Sequence, residues 1–253
     1  MPSRKPHPPS QEQNLGGPIL HQVSQGALHD RVYVELRRAL MAGAFAPGTK
    51  FTLQSLAKAV GTSVMPVRDA LRRLVAEHAL DVLPNRMVAI PVLTAERLGE
   101  IRDIRLALES MAAALAVVHI SDREVKDLIS IYELMKAQHD SPGADFLALN
   151  QGFHFTIYRS ASRPILLAMI ETLWLQTGPW LSDAVHGRGG RLELQHHQFA
   201  IVALTERNSK AASRAVAAAI ISASNLMAGI TQSRGPVSSG LRESADKDAK
   251  PTA

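Results

Sequence analysis

Three side chains in the second half of the chain have the types and spacing of a ligand pocket. Asn150 and His154 lie four residues apart in "NQGFH", and His197 follows in "QHHQ". Residues four apart share one face of a helix, so an amide and an imidazole would project together. An imidazole from a later helix could close the group. Such groups hydrogen-bond to hydroxyl and carboxylate oxygens, and imidazoles also ligate zinc. The plainer expectation is a pair of hydrogen-bonding pocket histidines. Arg105, in "RLALE", offers either of two chemistries. Its guanidinium can grip a carboxylate ligand bidentately, or it can pair with Glu109 one helical turn on, worth about 0.2–0.5 kcal/mol on an exposed helix. Tyr158, Trp174 and Trp180 are candidates for the wall of the same cavity, although aromatics at helical spacing commonly belong to a core.

A different chemistry is written in "LQSLAKAVGTSVMPVRDALRRLV", residues 53–75. Leu53, Leu56, Ala57 and Val60 form a short apolar helix that stops at Gly61. Ser63 is placed to cap a following helix that turns Val67, Ala70, Leu71 and Leu74 inward. Pro66 falls in its first turn, where a missing N–H costs little. A supporting helix, a tight turn and a second helix presented by its N-terminus are the parts of a helix-turn-helix. Ser63, Val64, Met65, Pro66 and Arg68 then form the leading end, with Gln54 on the supporting helix. A serine hydroxyl at a helix N-terminus suits phosphate, and Arg68 can reach phosphate or the O6/N7 edge of guanine. Arg72 and Arg73, further along, suit phosphate contact. The alternative is a small helical domain whose arginines are merely solvated.

The elements that position these groups follow from the pattern. Leu28, Val32, Leu36 and Leu40 form a stripe on a first helix, stopped at "GAFAPG". After "AEHAL", two β-prone runs flank Pro84-Asn85 as a hairpin whose tip carries Asn85 and Arg86 toward a minor groove. Residues 26–92 therefore read as a winged helix-turn-helix. Residues 95–231 are helical by period and predict an antiparallel bundle of six or seven helices. On its first helix Leu98, Ile101, either Ile104 or Arg105, Leu108 and Ala112 share the inward side. The tails, 1–25 and 232–253, are polar and rich in Pro, Gly and Ser, and read as disordered. The fold class is mainly α with a small β wing.

Composition agrees. The 253 residues are 46% apolar, 20% charged and only 4% aromatic, with a formal net charge of +5 that suits an anionic partner. There is no cysteine, which excludes disulfides, thiolate chemistry and cysteine-ligated zinc. "MPSRKPHPPSQEQNLGGP" lacks a signal peptide's apolar core, and no stretch reads as a membrane span, so the expectation is a cytoplasmic protein without membrane contact. No Gly-rich phosphate loop, G-x-S-x-G elbow or H-E-x-x-H motif supports an enzyme.

With Gly43, Pro47-Gly48, Leu53, Leu56-Ala57, Gly61, Ser63, Pro66-Val67-Arg68, Ala70-Leu71 and Leu74, the first domain resembles the GntR family of bacterial transcription regulators. "RLGEIRDIRLALESMAAALA" and the sequence after it resemble the helical ligand-binding domain of the FadR subfamily. The resemblance implies a homodimeric regulator, usually a repressor, bound to a palindromic duplex operator and controlled by a small carboxylate or related metabolite. It implies that Arg105 faces the effector cavity, with Asn150, His154, His197 and Tyr158 near it. It also implies a divalent metal, such as zinc, at the positions of Asn150, His154, His197 and Ala219. Here an amide stands for an aspartate and an alanine for a histidine, so a pocket without metal is the preferred expectation unless His186, His196 or a ligand completes the set. Val64 and Met65 depart from the polar residues common in the family, as does Met87 from its wing glycine. Two further readings stand beside this one: a dimeric DNA-binding protein without an effector, and a metal-dependent helical enzyme.

Overall fold

The structure, a computed structural model, describes residues 26–84, 87–143 and 145–233. The expected tails outside 26–233, and the wing-tip candidates Asn85 and Arg86, lie outside the described residues.

The first domain opens with α1, Gly26–Met41, whose Val32, Leu36 and Leu40 are buried as the four-residue spacing predicts, while Leu28 stays exposed. Gly43 and Gly48 follow with φ of +71° and +85°, values glycine adopts freely, and turn the chain back. A short strand β1, Lys50–Phe51, was not expected from sequence. Helix α2, Leu53–Ala59, carries a full capping box at its start: the Ser55 N–H donates to Thr52 Oγ1, and the Thr52 N–H donates to Ser55 Oγ. Gly61, at φ +66°, turns into α3, Val64–Ala76. Ser63 stands at the N-cap of α3, but its hydroxyl makes no capping bond. The hairpin is β2, Asp81–Val82, with β3, Val88–Ala89. β3 sits centrally between β1 and β2, antiparallel to both, pairing Lys50 and Asp81 with Ala89.

The bundle follows as α4 (Ala95–His119), α5 (Asp122–Ala137), α6 (Phe146–Ser160), α7 (Pro164–Ser182), α8 (Gln195–Thr205) and α9 (Ser209–Ser233). A π-helical turn, Asp183–Gly187, extends α7. Thr94 caps α4, and Ser121 with Glu124 caps α5 as a reciprocal box. The inward side of α4 holds Arg105 and excludes Ile104, which settles the choice the period left open. Contrary to expectation, α9 contains a stretch, Ser209–Thr231, long and apolar enough to cross a membrane, yet it packs along α4 and α8 within the bundle.

Helix α7 belongs to both domains. Leu175 is fully buried within the core that Leu36, Leu71 and Leu74 form in the first domain. Arg37 of α1 pairs with Glu171 of α7 at 2.7 Å and lies 3.5 Å from Glu77. The Trp180 indole N–H donates to the Pro91 carbonyl, which places Trp180 at the joint between domains rather than in a cavity wall. The backbones meet at two glycines. A Cβ on Gly178 would stand 2.4 Å from the Leu40 carbonyl oxygen, and one on Gly43 would stand 2.3 Å from Ser182 Cβ.

The Gly178→Ala variant is therefore expected to lose about 1–3 kcal/mol of stability, because helix backbones rather than flexible side chains must give way. Gly152→Ala, in the middle of α6 where a Cβ meets nothing within 4 Å, should instead gain about 0.4–1 kcal/mol. Urea melts of the two variants test this, and equal shifts would show that the α1–α7 contact can loosen freely.

Candidate nucleic-acid interface and ligand cavity

At the leading end of α3, Ser63, Met65 and Arg68 are exposed and Val64 is half-buried. Gln54 is exposed on α2. Among the described residues Arg68 has no ion pair, so its donors are available to an external acceptor. Pro66 is buried; it shapes the first turn and offers no surface, which removes it from the expected contact set. Arg72 is mostly exposed, 3.7 Å from Asp69. Arg73 differs from expectation: it donates to Asp30 at 2.8 Å and its guanidinium lies 3.5 Å from the centre of the Tyr33 ring. Tyr33 itself hydrogen-bonds to Glu77. Arg73 thus ties α3 to α1.

The structure brings Asn150 and His154 of α6 together with His197 of α8 and Arg105 of α4 around one cavity, which is partly open to solvent and has an internal volume of about 30 Å³. Trp174 and Thr177 of α7, Glu193, and Ala219 of α9 are also in its wall, and Met41 brings α1 to its edge. Tyr158 is buried behind His154 and does not line it.

The two readings of Arg105 hold at once. It lines the cavity, and it is bound to Glu109, with Nε 2.6 Å from Oε1 and Nη2 3.3 Å from Oε2. Both residues are buried, so the exposed-helix estimate does not apply: two desolvated charges are held only by close pairing and added hydrogen bonds. Those come from the Tyr158 hydroxyl, which donates to Glu109 Oε2 at 2.5 Å, and from the weaker 3.4 Å contact of Arg105 Nη1 with Thr177 Oγ1. Arg105 also sits over the Trp174 ring at 4.9 Å. Burial, and then the Glu109 charge, push the Tyr158 phenol upward, so it keeps its proton.

This chain of bonds fixes a tautomer. Tyr158 has one proton and gives it to Glu109, so at its 3.2 Å contact with His154 Nδ1 the hydroxyl can only accept. His154 then carries its proton on Nδ1 and keeps a lone pair on Nε2. Burial, followed by the Arg105 charge, lowers its pKa to about 3. His197 Nε2 lies 3.0 Å from Asn150 Oδ1 and donates to it. Its Nδ1 has no partner in normal geometry, although the Glu193 carbonyl is close enough to act on its charge. Burial, then His154, holds His197 well below the usual imidazole range. Trp174 Nε1–H is buried with no partner.

As a metal centre the set fits poorly. Two neutral imidazoles and an amide oxygen bring no negative charge, the two nearby carboxylates are engaged elsewhere, Glu109 by Arg105 and Glu193 by His196, and Ala219 cannot ligate. His196 turns to Glu193 at 3.0 Å, and His186 lies 3.2 Å from the Gly143 carbonyl, so neither completes the set. Among the described residues no three His, Cys, Asp or Glu side chains gather as metal ligands. Thr177 and Met41 are site residues that sequence reasoning missed. The i, i+4 relation to Arg105 pointed to Glu109, but no local signal marks Thr177 or Met41.

A winged helix-turn-helix fused through a shared helix to a cavity-bearing bundle is the architecture of a DNA-binding regulator with a sensor domain. Comparisons with known proteins agree. Residues 28–90 match the bacterial regulatory proteins of the gntR family, and residues 100–222 match the FCD domain. The HTH-type transcriptional regulator McbR of Escherichia coli (strain K12) is 33% identical over 180 residues, covering 70% of this chain and 81% of the relative. The gluconate operon transcriptional repressor of Bacillus licheniformis is 33% identical over 168 residues, 65% of this chain and 67% of the relative. The solved structure of E. coli McbR/YncC superposes with a TM-score of 0.75 at 30% identity, over 83% of this chain and 99% of that one. The chain belongs to the GntR family and carries an FCD domain. It is a ligand-responsive transcription regulator and not an enzyme.

Because both buried histidines are held neutral when folded but take a proton near pH 6.5 when unfolded, stability should be complete above pH 6.5 and fall as the pH drops below it, by about 1.4 kcal/mol per unit for each ring. Urea melts between pH 7 and 5, before most carboxylates titrate, are expected to show this slope, and a flat profile would contradict the buried neutral rings. Glu109→Ala should cost about 3–5 kcal/mol in the same assay by leaving Arg105 buried and unpaired.

Proposed function

We propose that the protein is a repressor of metabolic genes that binds a palindromic operator as a homodimer and answers to a small polar metabolite in the α4/α6/α7/α8/α9 cavity. The α3 leading end supports the DNA contact: a free Ser63 hydroxyl and helix N-terminus for phosphate, Arg68 for a guanine edge, and the exposed Met65 for a thymine methyl.

One observation carries the coupling. Successive residues of α7 face different domains: Trp174 and Thr177 line the cavity, while Leu175 completes the DNA-binding core. A ligand that favours one setting of α7 must favour one setting of α1 and α3, and it shifts the equilibrium only by its different affinity for the two.

The ligand's chemistry follows from the groups left over. A carboxylate would have to share Arg105 with Glu109, whereas His154 Nε2 offers a lone pair and Trp174 Nε1 an unused N–H. A hydroxyl- or amide-bearing molecule, accepting from Trp174 and donating to His154, satisfies both without adding charge. The carboxylate expected from the family resemblance fits only if the acid is remote from Arg105.

Fluorescence anisotropy on operator fragments selected by the protein itself is the test. Arg68→Ala should cost about 1–3 kcal/mol of binding, whereas Arg73→Ala should act through fold stability. Unchanged affinity in Arg68→Ala would remove it from the interface. For the cavity, a metabolite that raises the melting temperature of the wild type should fail to do so in His154→Phe.

A further inference from the structure

The sensor cavity is too small for a metabolite. At about 30 Å³ it has room for about two water molecules, whereas ligand pockets commonly measure roughly 300–1,000 Å³. Part of the wall must therefore move before anything larger enters. Most of the wall is fixed. Arg105 is bound to Glu109, Asn150 to His197, and His154 to Tyr158. Trp174 lies beneath the Arg105 guanidinium, and most of the remaining apolar wall belongs to the buried core of the bundle. Met41 is different. It is half-buried, and among the described residues it alone brings the DNA-binding domain into the cavity wall. Its unbranched thioether chain adapts more easily than a branched or aromatic one.

The place of Met41 in the chain makes its movement consequential. It is the last residue of α1, and it packs against both cores, that of the bundle and that of the first domain. Its backbone is set close against α7: a Cβ on Gly178 would stand 2.8 Å from the Met41 carbonyl oxygen and 3.0 Å from its Cα. Helix α1 in turn holds α3, because the Arg73 guanidinium lies over Tyr33 and donates to Asp30. A single residue thus touches the cavity, the joint and the helix that carries α3.

We propose that Met41 is a stopper: it fills the space that the effector needs, and the effector enters only by driving the Met41 side chain out and the end of α1 away from α7. This rests on the effector cavity proposed above and adds the direction of the response. The setting of α1 that closes the cavity is the one that presents α3 to the operator, so cavity occupancy and operator binding compete. Coupling is reciprocal, so bound operator holds the cavity shut as strongly as the effector weakens the operator complex. The repressor is released by its ligand. The same geometry narrows the ligand's chemistry: it takes the place of a thioether chain, so it carries a short apolar segment beside the hydroxyl or amide that meets His154 and Trp174.

The test uses the full chain and needs no identified effector. The chain has no native cysteine, so Ala219→Cys places a single thiol in the cavity wall, with iodoacetamide, a small neutral amide, as the probe. That thiol should react slowly with Met41 in place and about tenfold faster with Met41→Ala, because the alanine makes lasting an opening that is otherwise local and rare. Met41→Leu, which restores the bulk, should bring the slow rate back. Val117→Cys, buried in the bundle but outside the cavity wall, should react at one slow rate with or without Met41→Ala, which separates an opened cavity from a loosened domain. Saturating operator duplex, selected by the protein itself, should slow Ala219→Cys several-fold while Met41 is present and leave the rate unchanged in Met41→Ala. A rate indifferent to Met41→Ala, or equal acceleration at both thiols, overturns the stopper. Labelling that operator leaves unchanged or accelerates, with Met41 in place, overturns the competition, and this arm needs no variant at position 41. Either failure leaves the Arg68 test of operator binding, and the regulator reading with it, standing.

Discussion

The buried Arg105–Glu109 pair organises the sensor domain. Two charges removed from water are stable only while each satisfies the other and further hydrogen bonds take up what remains. Tyr158 is drawn in to serve Glu109, and serving it makes the phenol an acceptor toward His154, which in turn settles the histidine's tautomer. The cavity's chemistry is therefore set one residue at a time from a pair of which Arg105 lines the cavity and Glu109 stands behind it. The same pair has an outward consequence. Turning residues 105, 109 and 112 of α4 inward leaves 104, 111 and 118 facing out, so the helix carries polar groups in its core and apolar ones on its surface. This inversion is the reverse of an ordinary amphipathic surface helix.

The second constraint is the sharing of α7. A connection made only of loops would let the two domains move independently, since interfaces within a chain are commonly small and polar. Here Leu175 is part of the DNA-binding core, and the glycines at 43 and 178 let backbone meet backbone. Packed interfaces of this kind have discrete arrangements rather than a continuum of them, which makes a sub-ångström change at Thr177 or Trp174 consequential for α1. Arg37, held between Glu77 and Glu171, adds a polar clasp at the same joint.

The DNA-binding domain was legible because its signals are local. Gly61 before Ser63, the Leu and Val spacings and the Pro84 hairpin each concern a few consecutive residues, and the structure has the corresponding elements. Strand β1 was missed because two residues, Lys50 and Phe51, carry no period, and their partner is forty residues away. The contact of Arg73 with Tyr33 was not legible for a similar reason: it depends on how α1 crosses α3. In the bundle, the i, i+4 relation disclosed Asn150 with His154 and Arg105 with Glu109, because helix geometry alone guarantees those neighbours. Thr177 and Met41 could not be found this way, since their place in the cavity comes from tertiary packing alone. Tyr158 illustrates the middle case: its spacing put it beside His154 correctly, but only the depth of burial shows that it supports the cavity from behind.

The amide at position 150 is where these strands meet. An aspartate there would bring a charge into a site where, among the described residues, the lining arginine is already matched by Glu109, and it would need a metal or a protonated histidine to balance it. Asn150 instead accepts from His197 and adds no charge, so the set stays neutral throughout. Ala219, also in the cavity wall, has no ligand atom where the family resemblance implies a histidine. The two residues are consistent with one another: an amide needs no metal to neutralise it, and an alanine supplies no ligand atom. Asn150 and His197 thus meet through a hydrogen bond at positions where the family resemblance implies coordination.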